Sequence, residues 1–334
     1  MNVFALTRKL IDIESTTGME GPVGEALAAE LTELGYEVER IPVEHDRFDI
    51  WATHPGHPQP ELALSTHMDT VPPFIPSRET EDRIYGRGSC DAKGIIVAQI
   101  AAAEKLKGES IHVGLLFLVG EERDSQGAQV ANHQPRGVQY LINGEPTENR
   151  LALASKGTLR VEVIARGKMA HSAYPELGES AIEKLLDALH EVRKIKLPTN
   201  PKAGPSTMNI GQITGGRAPN VIPDYAEAQL LIRLVGPAHE LHEQIAAAVA
   251  GKAEAQYKLE IPYVELETVP GIPTMVAAFT TDIPALSRWG KPLLIGPGSI
   301  HVAHTEGEFI EKKQLLDAID LYARIARELL GNGD

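Results

Sequence analysis

A chain of 334 residues, 43% hydrophobic and 23% charged with no long low-complexity tract, exceeds the roughly 100 to 200 residues that one core usually serves and predicts a globular protein of two domains. Its formal charge of −14 leaves no basic stripe to displace counterions, which argues against a nucleic acid or an anionic membrane as partner. A single cysteine, Cys90, rules out an internal disulfide framework and fits a reducing compartment. In chain order, helical spacing covers Phe4 to Glu14 and Pro22 to Leu34, the second closed by Gly35. Strand patterns follow at Glu37 to Val43, Asp49 to Thr53 and Leu62 to Thr66, then a helix at Lys93 to Lys107. A buried strand at His112 to Val119, a helix at Gln126 to His133 and a strand at Val138 to Ile142 complete an α/β alternation, which predicts a sheet with helices on both faces.

After Leu151 the pattern changes. Strands are predicted at Thr158 to Ala165, Met208 to Ile213, Ala226 to Leu234 and Leu259 to Glu265, with helices at Ser180 to Ile195 and Ala238 to Ala250. Two helices with about four strands make a ferredoxin-like α+β layer with one bare face. The domains are therefore expected at 155–268 for this inserted unit, and at 1–154 and 269–334 for the main unit, whose sheet resumes at Pro292 to Ile295 and closes with a helix from Lys313 to Leu330. The strand Thr158 to Ala165 and the helix Ser180 to Ile195 are expected to offer an edge and a face to a second copy, making a homodimer. Met1 to Leu10 lacks a signal-peptide pattern, and the longest strongly apolar run, Val113 to Val119, falls far short of the roughly 20 residues that span a bilayer. A soluble cytoplasmic protein is the expectation.

Acid and imidazole side chains recur just beyond the apolar strand patterns, where open α/β sheets bind their ligands. His67 and Asp69 form an H-x-D triplet in which one group can ligate a metal and the other hold its second ring nitrogen. Gly86 to Gly94 is a glycine-rich loop that opens a helix; it lacks the phosphate-loop pattern, and its Asp91 would repel an anion but can bridge two cations. Glu121 and Glu122 would oppose each other's ionisation if buried together. A cation on Glu122 resolves that and leaves Glu121 to move a proton, its pKa lifted by desolvation. Glu145 follows another strand pattern beside a proline. His301 and His304 both follow the last strand, and spacing does not choose between them. Cys90 reads as packing. His45, His54, His57, His112, His133, His190, His239 and His242 receive no role. The mixture of imidazole and carboxylate suits a pair of divalent cations, zinc or alternatively cobalt, that activate water and polarise a carbonyl.

These motifs together resemble a known family. Ser65-Thr-His67-Met-Asp69-Thr-Val71, Gly86-Arg-Gly88 through Asp91-Ala-Lys-Gly94, Gly120-Glu-Glu122, Gly144-Glu145-Pro146, Ala170-His-Ser172 and Gly296-Pro-Gly-Ser299 with His304 are similar to those of the acetylornithine deacetylase, succinyl-diaminopimelate desuccinylase and carboxypeptidase G family. The form Gly-Pro-Gly-Ser-Ile followed by Ala303-His304 lies closest to acetylornithine deacetylase, whereas Ala92 and the run Thr305-Glu-Gly-Glu308 depart from common forms. The resemblance implies a zinc-peptidase-like catalytic domain with a lid or dimerisation domain. It implies His67 and Glu145 on one zinc, Glu122 and His304 on the other, Asp91 bridging, and Glu121 as general base, with His304 taken over His301. It further implies that His171 steadies the oxyanion in a partner's site and that Asn220 and Arg233 hold a substrate carboxylate. The implied activity is amide hydrolysis of an N-acyl amino acid, in amino-acid biosynthesis, with di- or tripeptide cleavage, carboxypeptidase action or release of a carrier-bound amino acid as the alternative.

Overall fold

The computed structural model of the protein describes residues 1–331. In chain order the principal elements are α1 (Val3–Ile11), α2 (Gly21–Glu33), β1 (Glu37–Glu44), β2 (Arg47–Thr53), β3 (Leu62–His67), β4 (Arg83–Tyr85), α3 (Lys93–Lys107), β5 (Gly114–Leu118), α4 (Gln126–His133) and β6 (Tyr140–Asn143). Then come β7 (Gly157–Arg166), α5 (Ala181–Val192), β8 (Thr207–Gly215), β9 (Tyr225–Leu234), α6 (His239–Val249), β10 (Glu254–Ile261), β11 (Lys291–Leu294), β12 (Phe309–Glu311) and α7 (Lys312–Leu329). The chain forms two compact units, one of Met1–Leu153, Leu266–Met275 and Thr281–Asp334, the other of Ala154–Glu265 and Val276–Thr280.

The first unit is built on a six-stranded sheet ordered β1-β2-β5-β3-β6-β11. β3, β5, β6 and β11 run parallel, whereas β1 and β2 lie antiparallel at one side. Alternate residues of the strands feed two different cores. Leu62, Leu64, Leu115 and Phe117 pack with residues of α1, α2, α3 and α7, while Ala63, Leu116, Leu118 and Leu141 pack with α4 and Trp289. This division is the period-2 geometry of a strand covered on both sides, and it explains why β5 reads as an unbroken apolar run. α7 shows the matching helical pattern, burying Leu315, Ala318, Tyr322 and Ala326 on one face. Gln99 of α3 donates to the Ser65 carbonyl at 2.8 Å, and the Tyr322 hydroxyl donates to the Ile295 carbonyl at 2.8 Å, fixing both helices against strand ends.

The second unit is an antiparallel sheet ordered β8-β9-β7-β10, crossed by α5 and α6. Every second residue of β9 is buried, and these side chains join Leu185 and Leu189 of α5 and Leu241 and Ile245 of α6 in one core. The start of α5 is fixed by Ser180, whose hydroxyl accepts the Glu183 N–H at 3.2 Å. The β-α-β-β-α-β order and one-sided helix layer are ferredoxin-like. Two local expectations differ. The segment expected to supply a free edge, Thr158 to Ala165, lies within β7, paired on both sides; alternating burial reveals a half-buried strand but not its neighbours, and the edges are β8 and β10. The last strand of this sheet is Glu254–Ile261, because Val264–Glu265 forms a separate short strand that pairs with residues 154–155.

The two-faced core makes a direct prediction. Phe117 is fully buried in the middle of the sheet, so Phe117→Ala should cost about 3 to 5 kcal/mol of stability in chemical denaturation. A loss below about 1 kcal/mol would contradict the packing described.

Candidate metal centre

The parallel strands end in step: His67 is level with Leu118, Ser65 with Asn143, and Asn143 with Leu294. The residues just past those ends therefore gather at one rim. Gly120 turns the chain after β5 at φ 82°, a region open to glycine, and puts Glu121 and Glu122 there. Glu145 follows β6 by two residues, and a Cβ on the preceding Gly144 would come within 2.4 Å of Ile95, so this close approach requires glycine. Asp91 stands two residues before α3, and His304 arrives from the loop after β11 at φ 64°. Left-handed backbone costs a residue with a Cβ roughly 1 kcal/mol, and here it turns the imidazole inward.

Asp91 is the shared element. One carboxylate oxygen, Oδ1, lies 3.0 Å from His67 Nε2, and the other, Oδ2, lies 3.3 Å from His304 Nε2. His304 Nε2 is also 2.9 Å from Glu122 Oε1. The His67 ring nitrogen Nδ1 faces Asp69, 3.0 Å from its carbonyl and 3.4 Å from Oδ1. Asp69 also accepts the backbone N–H groups of Glu121 and Glu122, both at 3.1 Å, and the Thr17 hydroxyl at 2.7 Å. A single carboxylate thus orients the histidine and the paired glutamates. The structure brings His67, Asp69, Asp91, Glu121, Glu122, Glu145 and His304 together and leaves the exposed His301 out.

Charge in this pocket is out of balance. Burial pushes the carboxyl groups of Glu121 and Glu145 well above the ordinary glutamate range, reinforced at Glu121 by the nearby Glu145 charge. Burial also raises Glu122, against the pull of His304. At Asp91 burial is outweighed by the hydrogen bonds from His304 and His67, which hold its carboxyl below the usual range, and the same contacts, with Glu122, raise His304 to about 10. The buried Oε1 of Glu145 has no hydrogen-bond partner among the described residues. Ligand atoms of His67, Asp91 and Glu122 lie within 4.8 Å of one another. A bridging carboxylate, an orphaned carboxylate oxygen and paired imidazoles form a donor set that fits two divalent cations of the zinc type, which would neutralise the acids.

Two supporting residues were hidden in the sequence. β12 pairs with β4, which carries the segment after His304 back beside the glycine-rich loop. Glu308 there accepts the N–H groups of Cys90 and Asp91 at 3.2 and 3.3 Å, and its other oxygen takes Arg87 Nη1 at 2.6 Å. Both partners of this ion pair are buried. Arg87 sits inside the loop motif and Glu308 inside the run after His304, but only the strand pairing joins them. Cys90 is buried with its thiol toward Glu308.

Residues 63–328 match the model of peptidase family M20/M25/M40. The chain belongs to this family. A peptidase M20 domain-containing protein of Schizosaccharomyces pombe is 38% identical over 97% of this chain and 84% of its own length. A probable carboxypeptidase of Uncinocarpus reesii is 34% identical over 99% of this chain and 87% of its own length. A tripeptidase structure from Staphylococcus aureus shares the fold, with a TM-score of 0.82 at 20% identity over 97% of this chain and 98% of that one. Family membership makes this M20 protein a metal-dependent hydrolase, of mixed α/β fold. Among the described residues no helix is long and apolar enough to cross a membrane.

The other site candidates lie in the second unit. His171 and Asn220 are neighbours there: Ala170–His171 pairs with Val221–Ile222, and the Ser172 N–H donates to the Asn220 carbonyl at 3.0 Å. The exposed His171 accepts the Ala173 N–H on Nδ1 at 3.1 Å, so its neutral ring carries hydrogen on Nε2. Arg233 stands near the far end of β9, eight residues or roughly 26 Å beyond Tyr225. Its Nη1 donates to Thr158 Oγ1 at 2.6 Å. Within this unit it shares no local site with His171 and Asn220.

The buried pair gives a stability prediction. Arg87→Met should cost about 3 to 5 kcal/mol in denaturant titration by leaving Glu308 uncompensated; a change within about 0.5 kcal/mol would contradict its proposed support of the Asp91 loop.

Proposed function

We propose that this chain hydrolyses an amide bond whose amine side is an α-amino acid with a free carboxylate: an N-acyl amino acid, or the last residue of a short peptide. The observation that carries the hydrolytic reading is the Glu121 side chain, partly buried and without a hydrogen bond among the described residues, beside a cluster in which Asp91, His67, Glu122 and His304 are paired off. His67 and Glu145 would hold one cation, Glu122 and His304 the other, and Asp91 would bridge them; zinc suits the mixed donors, and cobalt is an alternative. When bound, such a pair polarises a carbonyl and lowers the pKa of water.

Glu121 then acts as general base through its carboxylate, taking a proton from the attacking water and returning it to the departing amine. Its raised pKa brings it toward working pH, where both transfers are feasible. Asp69 holds the His67 tautomer and aims the Glu121-Glu122 turn. The Nε2–H that His171 presents suits it to donate to an oxyanion in a partner copy's site, and Asn220 and Arg233 are assigned to the substrate carboxylate, which their separation along the second unit allows only if the two come from different copies. The second unit would thereby serve as lid and dimerisation domain, in a homodimer formed through the free edge of β8 or β10.

Acetylornithine deacetylase-like deacylation is the first reading from the motif forms. Carboxypeptidase action is a second, favoured by the name of the relative in Uncinocarpus reesii. Both cleave the acyl group from the nitrogen of a residue with a free α-carboxylate. A zinc-loaded sample assayed on N-acetyl amino acids, di- and tripeptides and their C-terminal amides should cleave carboxylate-bearing substrates and spare the amides; equal rates on the amides would overturn the specificity claimed.

Glu121→Gln should retain bound metal while turnover falls at least 10²-fold, and near-normal turnover would overturn the role of Glu121. In the unaltered enzyme, kcat/KM should fall as pH drops through the pKa of Glu121, a base that works only when deprotonated. The midpoint should lie above the ordinary glutamate value of roughly 4.3; a midpoint at or below that value would contradict a desolvated base.

A further inference from the structure

Three histidines given no role by the sequence meet elsewhere on the first unit. β2 pairs antiparallel with β5, with Ala52 opposite Leu115, so His54, just past the end of β2, comes beside His112, just before the start of β5. A tight turn, closed by the His57 N–H donating to the His54 carbonyl at 2.9 Å, folds His57 back onto them. Ring centroids of His57 and His112 are 3.7 Å apart, and those of His54 and His112 are 4.7 Å apart. One nitrogen from each of the three lies within 4.8 Å of the other two. This is the opposite end of β5 from the metal centre: His67 is level with Leu118, six residues or roughly 20 Å from His112.

Three stacked imidazoles would repel if protonated, which favours the neutral form at the partly buried His112. Burial, aided by the His57, His54 and Lys107 charges, holds His112 below the ordinary imidazole value. The His112 Nδ1 is buried with no hydrogen-bond partner among the described residues. His54 Nδ1 lies 3.0 Å from the Pro55 carbonyl and can only donate to it, so Nε2 carries the lone pair. A second group fixing the tautomer in this way is the usual support of a ligating histidine. His57 and His112 border an open groove of about 440 Å³ lined also by Glu61, Ser110 and Ile111, which gives an ion and its waters access.

We propose that His54, His57 and His112 form a separate mononuclear site for a divalent transition metal of the zinc, nickel and copper group. Neutral imidazoles select such ions over magnesium and calcium, which require oxygen ligands. Zinc–nitrogen bonds of about 2.0 to 2.1 Å place tetrahedral ligand nitrogens roughly 3.3 Å apart. The exposed His57 closes the remaining distance by turning about its side-chain torsions. A bound ion would clip the turn after β2 to the start of β5.

The test uses the full chain and zinc alone. After equilibrium dialysis, zinc per chain is measured in the wild type, in His57→Ala and in His112→Gln, with turnover as the check on folding. The wild type should hold one zinc more than either variant, all three should turn over equally, and calcium should not compete. A Glu122→Ala variant, impaired at the metal centre, should keep the His57-dependent zinc, so loss of one site is distinguishable from loss of the other. Equal zinc in wild type and His57→Ala, whatever the state of the metal centre, would overturn the proposal.

Discussion

One carboxylate shared by two imidazoles is the constraint on which the rest of the first unit depends. Asp91 can face His67 with one oxygen and His304 with the other only if residues 24 and 213 positions away along the chain arrive at the same point. Parallel strands that end level with one another supply His67, α3 opens next to Asp91, and the β4–β12 pairing draws the chain after His304 back to the loop. Collecting this many acids in a partly dry pocket is unfavourable for the protein alone. Burial raises Glu121, Glu122 and Glu145 together. Cation binding reverses that penalty, so the stability of the rim and the capacity for chemistry share one electrostatic origin.

The supporting shell shows how the fold limits freedom at this point. Asp69 spends its acceptors on His67, Thr17 and two backbone N–H groups, which ties the H-x-D triplet to the Glu121-Glu122 turn. Glu308 does the same for the Asp91 loop and is itself neutralised by Arg87. The Glu121 side chain is left out of both networks. A side chain that must gain and lose a proton is better held by packing than by a strong hydrogen bond, which would fix its protonation state.

Much of this was readable from residue order. The apolar runs that became β3, β5 and β6 each end just before His67, Glu121 and Glu145, so a common rim followed from parallel topology alone. His304 could not be told from His301 by spacing, because a left-handed backbone at residue 304 decides which imidazole turns inward. Arg87 and Glu308 were hidden by 221 positions of separation. The interior place of β7 was hidden because alternation records which face is covered and not which strand lies alongside. The histidine trio at the far end of β5 depended in the same way on an antiparallel pairing between strands distant in sequence.

The most direct measurement is anomalous diffraction at the zinc absorption edge from crystals grown with zinc. The account predicts two peaks flanking the Asp91 carboxylate, one within reach of His67 and Glu145 and one within reach of Glu122 and His304, with Glu121 coordinating neither. A carboxylate still bonded directly to both imidazoles, with no peak on either side, would contradict it.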